Sequence, residues 1–308
     1  MSTYNGQIYL AEQIDSILNQ TYKYINLIIR DDGSNDSTPS ILEDYANRYP
    51  EKIKIITDQK GNLGPKHSFA ELMNYSTSEF IAFSDQDDFW NENKIERAIN
   101  AISSLKSTNI CLYSSDALVT DHELKVIHNS YFRKHHLLNF NSQKKINKLI
   151  FRNFSIGATS VFTKELKELS LPIPSNAIMH DWWIAINAAH YGEIYIDDFK
   201  SIHYRQHDNN VVGSRNYKFK FSYKTIKKLI ERSNKNTHSA MSQAYDFYIL
   251  NKENLPLKKI NFIRLLLATP EKNFLSRIFF FFSYNLFKPK FLLSLAHFYS
   301  YLNIKKID

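Results

Sequence analysis

Apolar positions follow two alternating periods along the first two-thirds of the chain. Ile8, Leu10, Ile14, Ile17 and Leu18 recur at helical spacing. Leu27-Ile28-Ile29 is a continuous apolar run ending at Arg30-Asp31-Asp32-Gly33, as expected of a buried strand entering a turn. Thr38-Pro39 opens a helix, with Thr38 as its cap, Pro39 in its first position, and Ile41, Leu42 and Tyr45 on its inner face. Residues 53–57 are strand-like, Gly61-Asn62-Leu63-Gly64-Pro65 is a loop, and Phe69, Leu72 and Met73 mark another helix. Residues 80–84 form a strand that runs into Asp85-Gln86-Asp87-Asp88. Ile95, Ala98, Ile99 and Ile102 give the next helix and residues 110–113 the next strand. Residues 120–150 are basic, polar and irregular. A strand over 159–162, a helix over 181–191 and short closing strands over 194–196 and 202–204 follow.

This order predicts an α/β protein, a mostly parallel sheet flanked by helices. In open sheets of this kind, ligands bind beyond the carboxyl ends of strands. The loops Asp31-Asp32-Gly33-Ser34 and Asp85-Gln86-Asp87-Asp88 both leave strands at that end, so both are expected to face one crevice. The opening Ser2-Thr3-Tyr4-Asn5-Gly6 is polar and turn-forming, unlike a secretory signal. Only a stub of a first strand precedes Asn5-Gly6, so the strand is expected to be shortened, or the native chain to begin a few residues upstream.

Composition changes the picture mainly at the C-terminal end. The 308 residues suffice for one sizeable core plus an accessory segment. The net charge of +8 divides into −4 over residues 1–215 and +12 over 216–308. That asymmetry predicts a boundary near 215, with a helical, basic and aromatic region over 216–308. Residues 278–287 and 291–302 are apolar and aromatic, separated by Lys288-Pro289-Lys290. Neither reaches the about 20 residues that span a bilayer. Together they suit peripheral contact of residues 278–304 with an anionic membrane face, or a packed helical hairpin. Basic charge beside Phe-rich segments suits lipid better than nucleic acid. The single cysteine, Cys111, lies in an apolar run and reads as a buried thiol in a reducing, cytoplasmic setting.

Three carboxylates within four residues, Asp85, Asp87 and Asp88, repel one another unless a cation or hydrogen-bond donors compensate them. Mg²⁺ or Mn²⁺ would do so and would bridge phosphate oxygens. The alternative is a solvated acidic turn. Asp31-Asp32-Gly33-Ser34 by itself is ordinary turn chemistry.

The sequence resembles the inverting nucleotide-sugar transferases of glycosyltransferase family 2, which have the GT-A (Rossmann-like) fold. The resemblance is carried by Ser2-Thr3-Tyr4-Asn5-Gly6, by residues 13–21 (Gln-Ile-Asp-Ser-Ile-Leu-Asn-Gln-Thr), by Asp31-Asp32-Gly33-Ser34, by Asn62-Leu63-Gly64 and by Asp85-Gln86-Asp87-Asp88. It covers residues 1 to about 215, the expected catalytic domain. Residues 84–90, Met179-His180-Asp181-Trp182-Trp183 and residues 204–213 make the chain most similar to bacterial rhamnosyltransferases of surface-polysaccharide assembly. The last motif has Asp208 where the family usually has Gly, which affects the local backbone after His207.

The resemblance implies that Ser2 and Tyr4 line the base pocket and that Asp32 accepts from the base N3–H. Asp85 would lie near the ribose and metal waters, Asp87 would be the direct metal ligand, Asp88 would support them, and Asp181 would be the general base. Such a base contributes typically 10²–10⁴-fold. Asp181 also falls where a helix cap would stand. Trp182 and Trp183 would offer an acceptor-sugar platform, although core packing accounts equally well for at least one of them. Arg205 is a candidate for the diphosphate and His207 for the metal or phosphate; for each the alternative is structural hydrogen bonding.

The reaction so implied is transfer of a sugar to a glycan or lipid-linked acceptor at the inner membrane face. The preferred donor is dTDP-L-rhamnose and the alternative a UDP-sugar. A sugar nucleotidyltransferase should carry a Gly- and basic-rich loop after the first strand; Tyr4-Asn5-Gly6-Gln7 has no basic residue. A non-catalytic nucleotide-sugar-binding scaffold is the third reading, opposed by the retention of Asp32, Asp85, Asp87 and Asp181.

Overall fold

The computed structural model describes residues 1–105, 107–137, 146–207 and 223–306. The chain forms two compact units. One comprises Met1–Phe140, Phe154–Ile173 and Met179–Ser214; the other comprises Asn141–Asn153, Pro174–Ile178 and Arg215–Asp308. The second unit therefore includes two earlier segments besides the basic C-terminal region.

In the first unit, β1 (Ser2–Thr3), β2 (Leu27–Asp31) and β3 (Ile53–Ile56) form a parallel sheet in the order β1-β2-β3. A second sheet holds β4 (Phe80–Ala82), β5 (Phe89–Trp90), β6 (Cys111–Thr120), β7 (Val126–His128), β8 (Ser160–Thr163) and β9 (Glu193–Arg205). Its order is β4-β8-β6-β9-β5, with β7 on β6. Helices α1 (Leu10–Leu18), α2 (Thr38–Arg48), α3 (Gly64–Tyr75), α4 (Lys94–Ser104), α5 (Lys164–Ser170) and α6 (His180–Tyr191) connect the strands. The α/β class is as expected, but the strand pairing is mixed. β6–β9 is parallel, whereas β4–β8, β6–β8, β5–β9 and β6–β7 are antiparallel.

β6 and β9 are longer than their apolar runs because polar residues within them are held internally. Ser115 and Ser201 hydroxyls lie 2.5 Å apart, and Asp116 accepts from Ser130 Oγ (2.5 Å) and Phe132 N (2.9 Å). The two predicted closing strands are one strand. Its register shifts at Ser115/Asp116, and Asp197 there accepts from Arg97 Nε (2.7 Å) and the Tyr113 hydroxyl (2.9 Å). Residues 120–137 are not irregular throughout, since β7 and a helical turn at Tyr131–Lys134 order them. Thr38 does not cap α2. Ser37 stands at the cap position, and the Thr38 hydroxyl instead accepts from Gly6 N at 2.8 Å.

Leu10, Ile14, Ile29, Ala98, Tyr113 and Ile202 are fully buried in one core that joins α1 and α4 to the strands. Each large aliphatic side chain so buried contributes about 1.5–3 kcal/mol. Cys111 is buried, its thiol donating to Thr108 O at 3.3 Å.

The second unit is built from α7 (Tyr223–Asn251), α8 (Leu257–Leu267), α9 (Phe274–Ser283) and α10 (Phe291–Leu302). Phe281 is its fully buried centre, with Phe298, Phe287 and Tyr301 ring centroids at 4.8, 5.1 and 5.4 Å. Lys288 Nζ donates to Phe151 O, and Asn147 Nδ2 donates to Tyr284 O at 2.6 Å. Among the described residues, no helix is long and apolar enough to cross a membrane.

Candidate active site

β1, β2 and β4 bring their following loops together through the segment Tyr4-Asn5-Gly6. Tyr4 N donates to Gln86 Oε1 at 2.8 Å, and Gln86 Nε2 returns a bond to Tyr4 O at 2.9 Å. A Cβ on Gly6 would lie 2.3 Å from Gln86 Oε1, so a larger residue there would displace the Gln86 amide from its Tyr4 bonds. On the other side, Asn5 N donates to Ser34 Oγ (2.8 Å), and Asn35 N to Asn5 Oδ1 (2.9 Å). Gly33 takes a positive φ of 86°, which allows the tight turn that brings Ser34 N and Oγ back to Asp31 at 2.8 and 2.6 Å. The two acidic loops thus share one edge, and Tyr4 beside them is half-exposed.

Asp32 is buried at the end of β2. Its oxygens accept from Leu63 N and Gly64 N at 2.8 Å each and from Arg30 Nη1. Arg30 is also buried; it donates to Asp58 through Nε (2.8 Å) and Nη2 (3.0 Å) and to Gly61 O (2.8 Å). Asp32 therefore anchors the 61–64 loop, while the Ser2 hydroxyl bonds Ser68 Oγ at 2.7 Å.

β4 delivers the carboxylates. Asp85 is partly exposed. Burial, then the charges of Asp87 and Asp181, push its carboxyl up to about 7, so these three acids lie in one electrostatic neighbourhood. Asp88 is fully buried and accepts from Arg205 N at 3.1 Å. Burial first, then Asp87 and Asp85, raise its carboxyl well above the usual range. Lys94 lies beneath the loop with its ammonium 3.5 Å from the Trp90 ring centroid. Buried Gln13 hydrogen-bonds Ser84 at 2.9 Å.

Arg205 is 2% exposed and its guanidinium is committed to the protein. Nε donates to Asp87 O at 2.8 Å, Nη1 to His122 O, and Nη2 to the Glu12 carboxylate, while the group lies 4.4 Å over the Tyr9 ring. This geometry makes Arg205 a clasp on the acidic loop rather than a residue presented to a diphosphate. His207 Nε2 lies 2.7 Å from Asp87 Oδ2, and its ring is 5.0 Å from Tyr9. Asp208 falls outside the described residues.

Asp181 is the second residue of α6. Its Oδ1 accepts from Trp182 N (2.6 Å) and its Oδ2 from Gly157 N (3.1 Å). Met179, not Asp181, stands at the cap position. Trp182 is partly exposed, whereas Trp183 is a core side chain, 2% exposed, whose indole N–H donates to Ser170 O at 2.9 Å. Of the pair, only Trp182 is accessible at the surface.

Glu12, Gln13 and Arg30 were not singled out in the sequence as site residues. Gln13 leaves a trace there, as a polar residue between the apolar Leu10, Ile14 and Ile17 on one face of α1. The Arg30 and Glu12 contacts depend on residues 28 and 193 positions away, so local patterning does not reveal them.

Among the described residues, no three His, Cys, Asp or Glu side chains converge as a metal cluster. Asp87 and His207 supply one carboxylate and one imidazole. These two could hold part of the shell of a divalent cation such as Mn²⁺ or Mg²⁺, with phosphate oxygens and water supplying the rest.

Residues 1–165 match the family described as Glycosyl transferase family 2. The chain is 32% identical over 240 residues to dTDP-rhamnosyl transferase RfbG of Shigella flexneri, covering 73% of this chain and 78% of that protein. Among solved structures it is similar to the mannosyltransferase PcManGT of Pyrobaculum calidifontis in complex with GDP-Man and Mn²⁺. The TM-score is 0.54 and the identity 16%, over 98% of this chain and 83% of that one. It is also similar to S. aureus TarS 1-349 in complex with UDP-GlcNAc, with TM-score 0.53 and 16% identity over 98% and 88% of the two chains. With the family matched over more than half of the chain and a 32% identical relative covering 73% of it, this chain belongs to glycosyltransferase family 2 and is a glycosyltransferase of the GT-A fold.

Proposed function

We propose that this glycosyltransferase moves a sugar, preferentially L-rhamnose from its dTDP derivative, to a hydroxyl of a glycan or lipid-linked acceptor with inversion at the anomeric carbon. The observation that carries this reading is the grouping of Asp85, Asp87 and Asp181, from two distant elements, with His207 against Asp87. The 32% identity to a dTDP-rhamnosyl transferase favours that donor over a UDP-sugar.

In this reading the base stacks by Tyr4, and Asp32 orders the 61–64 loop beneath it while facing the base. Ser2 supports that wall through Ser68. Asp87 and His207 would hold Mg²⁺ or Mn²⁺, which when bound neutralises charge on the departing diphosphate. Asp85 positions the donor, and Asp88 with Arg205 fixes the loop. Asp181 takes the proton of the acceptor hydroxyl as its oxygen bonds to the anomeric carbon. The bond from that carbon to the diphosphate oxygen breaks on the opposite side, and dTDP leaves with the electron pair. Gly157 N–H holds one Asp181 oxygen, leaving the carboxylate oriented for that proton. Trp182 would stack on the acceptor ring. Exposed apolar residues of α9 and α10 support peripheral attachment to a membrane face.

Transfer assayed with a panel of nucleotide sugars, Mn²⁺ and a lipid-linked acceptor tests the reading. Asp181→Asn should lower turnover by at least about 10²-fold while leaving donor binding near normal. Asp87→Asn should lose metal-dependent donor binding as well. Near-normal turnover of Asp181→Asn would overturn the base assignment.

A further inference from the structure

The start of α1 and the end of β9 meet through side chains. Tyr9 stands at the cap position of α1, and its backbone is tied on both sides. Tyr9 N donates to Gly6 O at 3.2 Å, and Gln13 N donates to Tyr9 O at 3.1 Å. The Tyr9 ring is partly buried and lies outside the apolar core that takes Leu10, Ile14 and Ile17. It meets the end of β9 instead. The Arg205 guanidinium is 4.4 Å from its centroid, and the His207 ring is 5.0 Å away with 32° between the planes. One residue before Gln13, the Glu12 carboxylate accepts from Arg205 Nη2. The first turn of α1 thus grips residues 205–207 with two side chains.

We propose that Tyr9 is a positioning residue for the cation, its ring fixing the His207 imidazole with Nε2 toward Asp87; this rests on the reading that Asp87 and His207 hold the metal. Three observations argue for it. First, His207 lies past the sheet. β9 ends at Arg205, and Gln206 N still donates to Thr120 O at 2.9 Å. His207 follows that rung, so the plane of its ring is set by side-chain packing such as that on Tyr9. Second, a tilted face contact restrains the ring plane and leaves the ring-edge nitrogens accessible, as a ligating imidazole requires. Nε2 is already 2.7 Å from Asp87 Oδ2. Third, both residues on which Tyr9 packs touch Asp87, His207 at the carboxylate and Arg205 Nε at the backbone carbonyl. An aromatic face serves both, because it attracts the guanidinium and packs flat on the imidazole. An aliphatic side chain of similar size fills the space without either effect.

Mn²⁺ binding in the presence of dTDP, read by calorimetry on the full chain, tests this with Tyr9→Phe, Tyr9→Leu, Tyr9→Gln and His207→Ala beside the parent. Tyr9→Phe keeps the ring and should bind Mn²⁺ within about twofold of the parent. Tyr9→Leu and Tyr9→Gln should each lose about tenfold or more, the scale on which outer partners of a ligating imidazole act. Binding of dTDP without metal should match the parent in all three, and it reports the folded fraction of each preparation. The two ring-loss variants keep the test open should one of them fold poorly. Parent-like Mn²⁺ affinity in the ring-loss variants, with His207→Ala weakened, would overturn the role of Tyr9 and leave the metal assignment standing. Parent-like affinity in His207→Ala would overturn the metal assignment and the role of Tyr9 with it. Equal losses in Tyr9→Phe and Tyr9→Leu would also overturn the proposal, since the phenol hydroxyl and not the ring face would then be acting.

Discussion

His180 carries a distinct pH signature at the residue scale. Its ring is buried between Phe69 and Phe83, with centroids at 4.2 and 4.6 Å, and neither ring nitrogen has a hydrogen-bond partner. Burial lowers it from 6.5 to about 3, so the folded protein keeps it neutral where the unfolded chain binds a proton. Between pH 6.5 and about 3 the unfolded state therefore takes up more protons, and stability falls as pH falls through that window, by about 1.4 kcal/mol per unit from this group. Above pH 6.5 the contribution is fully present. His180→Phe should flatten the dependence, so urea unfolding of the two proteins at pH 7.5, 5.5 and 4.5 should show their stability difference shifting steadily toward the variant. Parallel curves would refute the assignment. Arg205 is tested differently. A lysine cannot reproduce a fork that holds Asp87 O, His122 O and Glu12 at once. Arg205→Lys should weaken Mn²⁺-dependent dTDP binding by about tenfold, read by calorimetry, with Tm altered by only a few degrees.

At the scale of elements, the junction of α6 and β9 is closely packed against the residue that precedes β6. A Cβ on Gly192 would lie 1.9 Å from Ile110 O, the acceptor of Glu193 N at 2.9 Å. Gly192→Ala must displace backbone at the start of the β6–β9 pairing. It should cost about 2–4 kcal/mol by denaturant unfolding; a loss below about 1 kcal/mol would mean that the strands yield freely there. The same region shows how far the sequence could be read. α1, β2 and α4 were legible because their apolar residues keep a clean period. β6 and β9 were legible only in part, because Asp116 and Asp197 sit inside them, buried and held by partners far along the chain. The acidic loop, Asp32 and Asp181 were legible through short motifs. Their anchors Arg30, Glu12 and Gln13 were not, since each acts through a contact that exists only after folding. Arg205 and Trp183 were visible as residues, but their burial was not.

At the scale of the whole molecule, charge and apolar exposure coincide in sequence. Residues 216–308 carry +12 against −4 for the rest, and the same region holds an uncovered apolar surface. On α9, Leu275, Phe279 and Phe282 stand at i, i+4 and i+7 and are 76%, 74% and 56% exposed. On α10, Phe291, Leu295 and Tyr299 stand at i, i+4 and i+8 and are also exposed. Phe282 lies 5.2 Å from Phe287 and 5.9 Å from Phe298, so the α9 stripe borders aromatic side chains that include one from α10. In the peripheral attachment proposed above, such a surface would bury its apolar side chains at the acyl boundary while exposed lysines such as Lys272 and Lys290 would meet anionic headgroups. The protein should therefore co-sediment with phosphatidylglycerol-containing vesicles and much less with pure phosphatidylcholine, and 0.5 M salt, for which the screening length is only about 4 Å, should weaken the binding. Leu275→Glu with Phe279→Glu should abolish sedimentation while leaving the melting temperature within a few degrees, because both side chains already face water. If the double variant sediments like the parent, the contact does not run through α9. If the parent binds neutral and anionic vesicles alike, the +12 charge has no part in it.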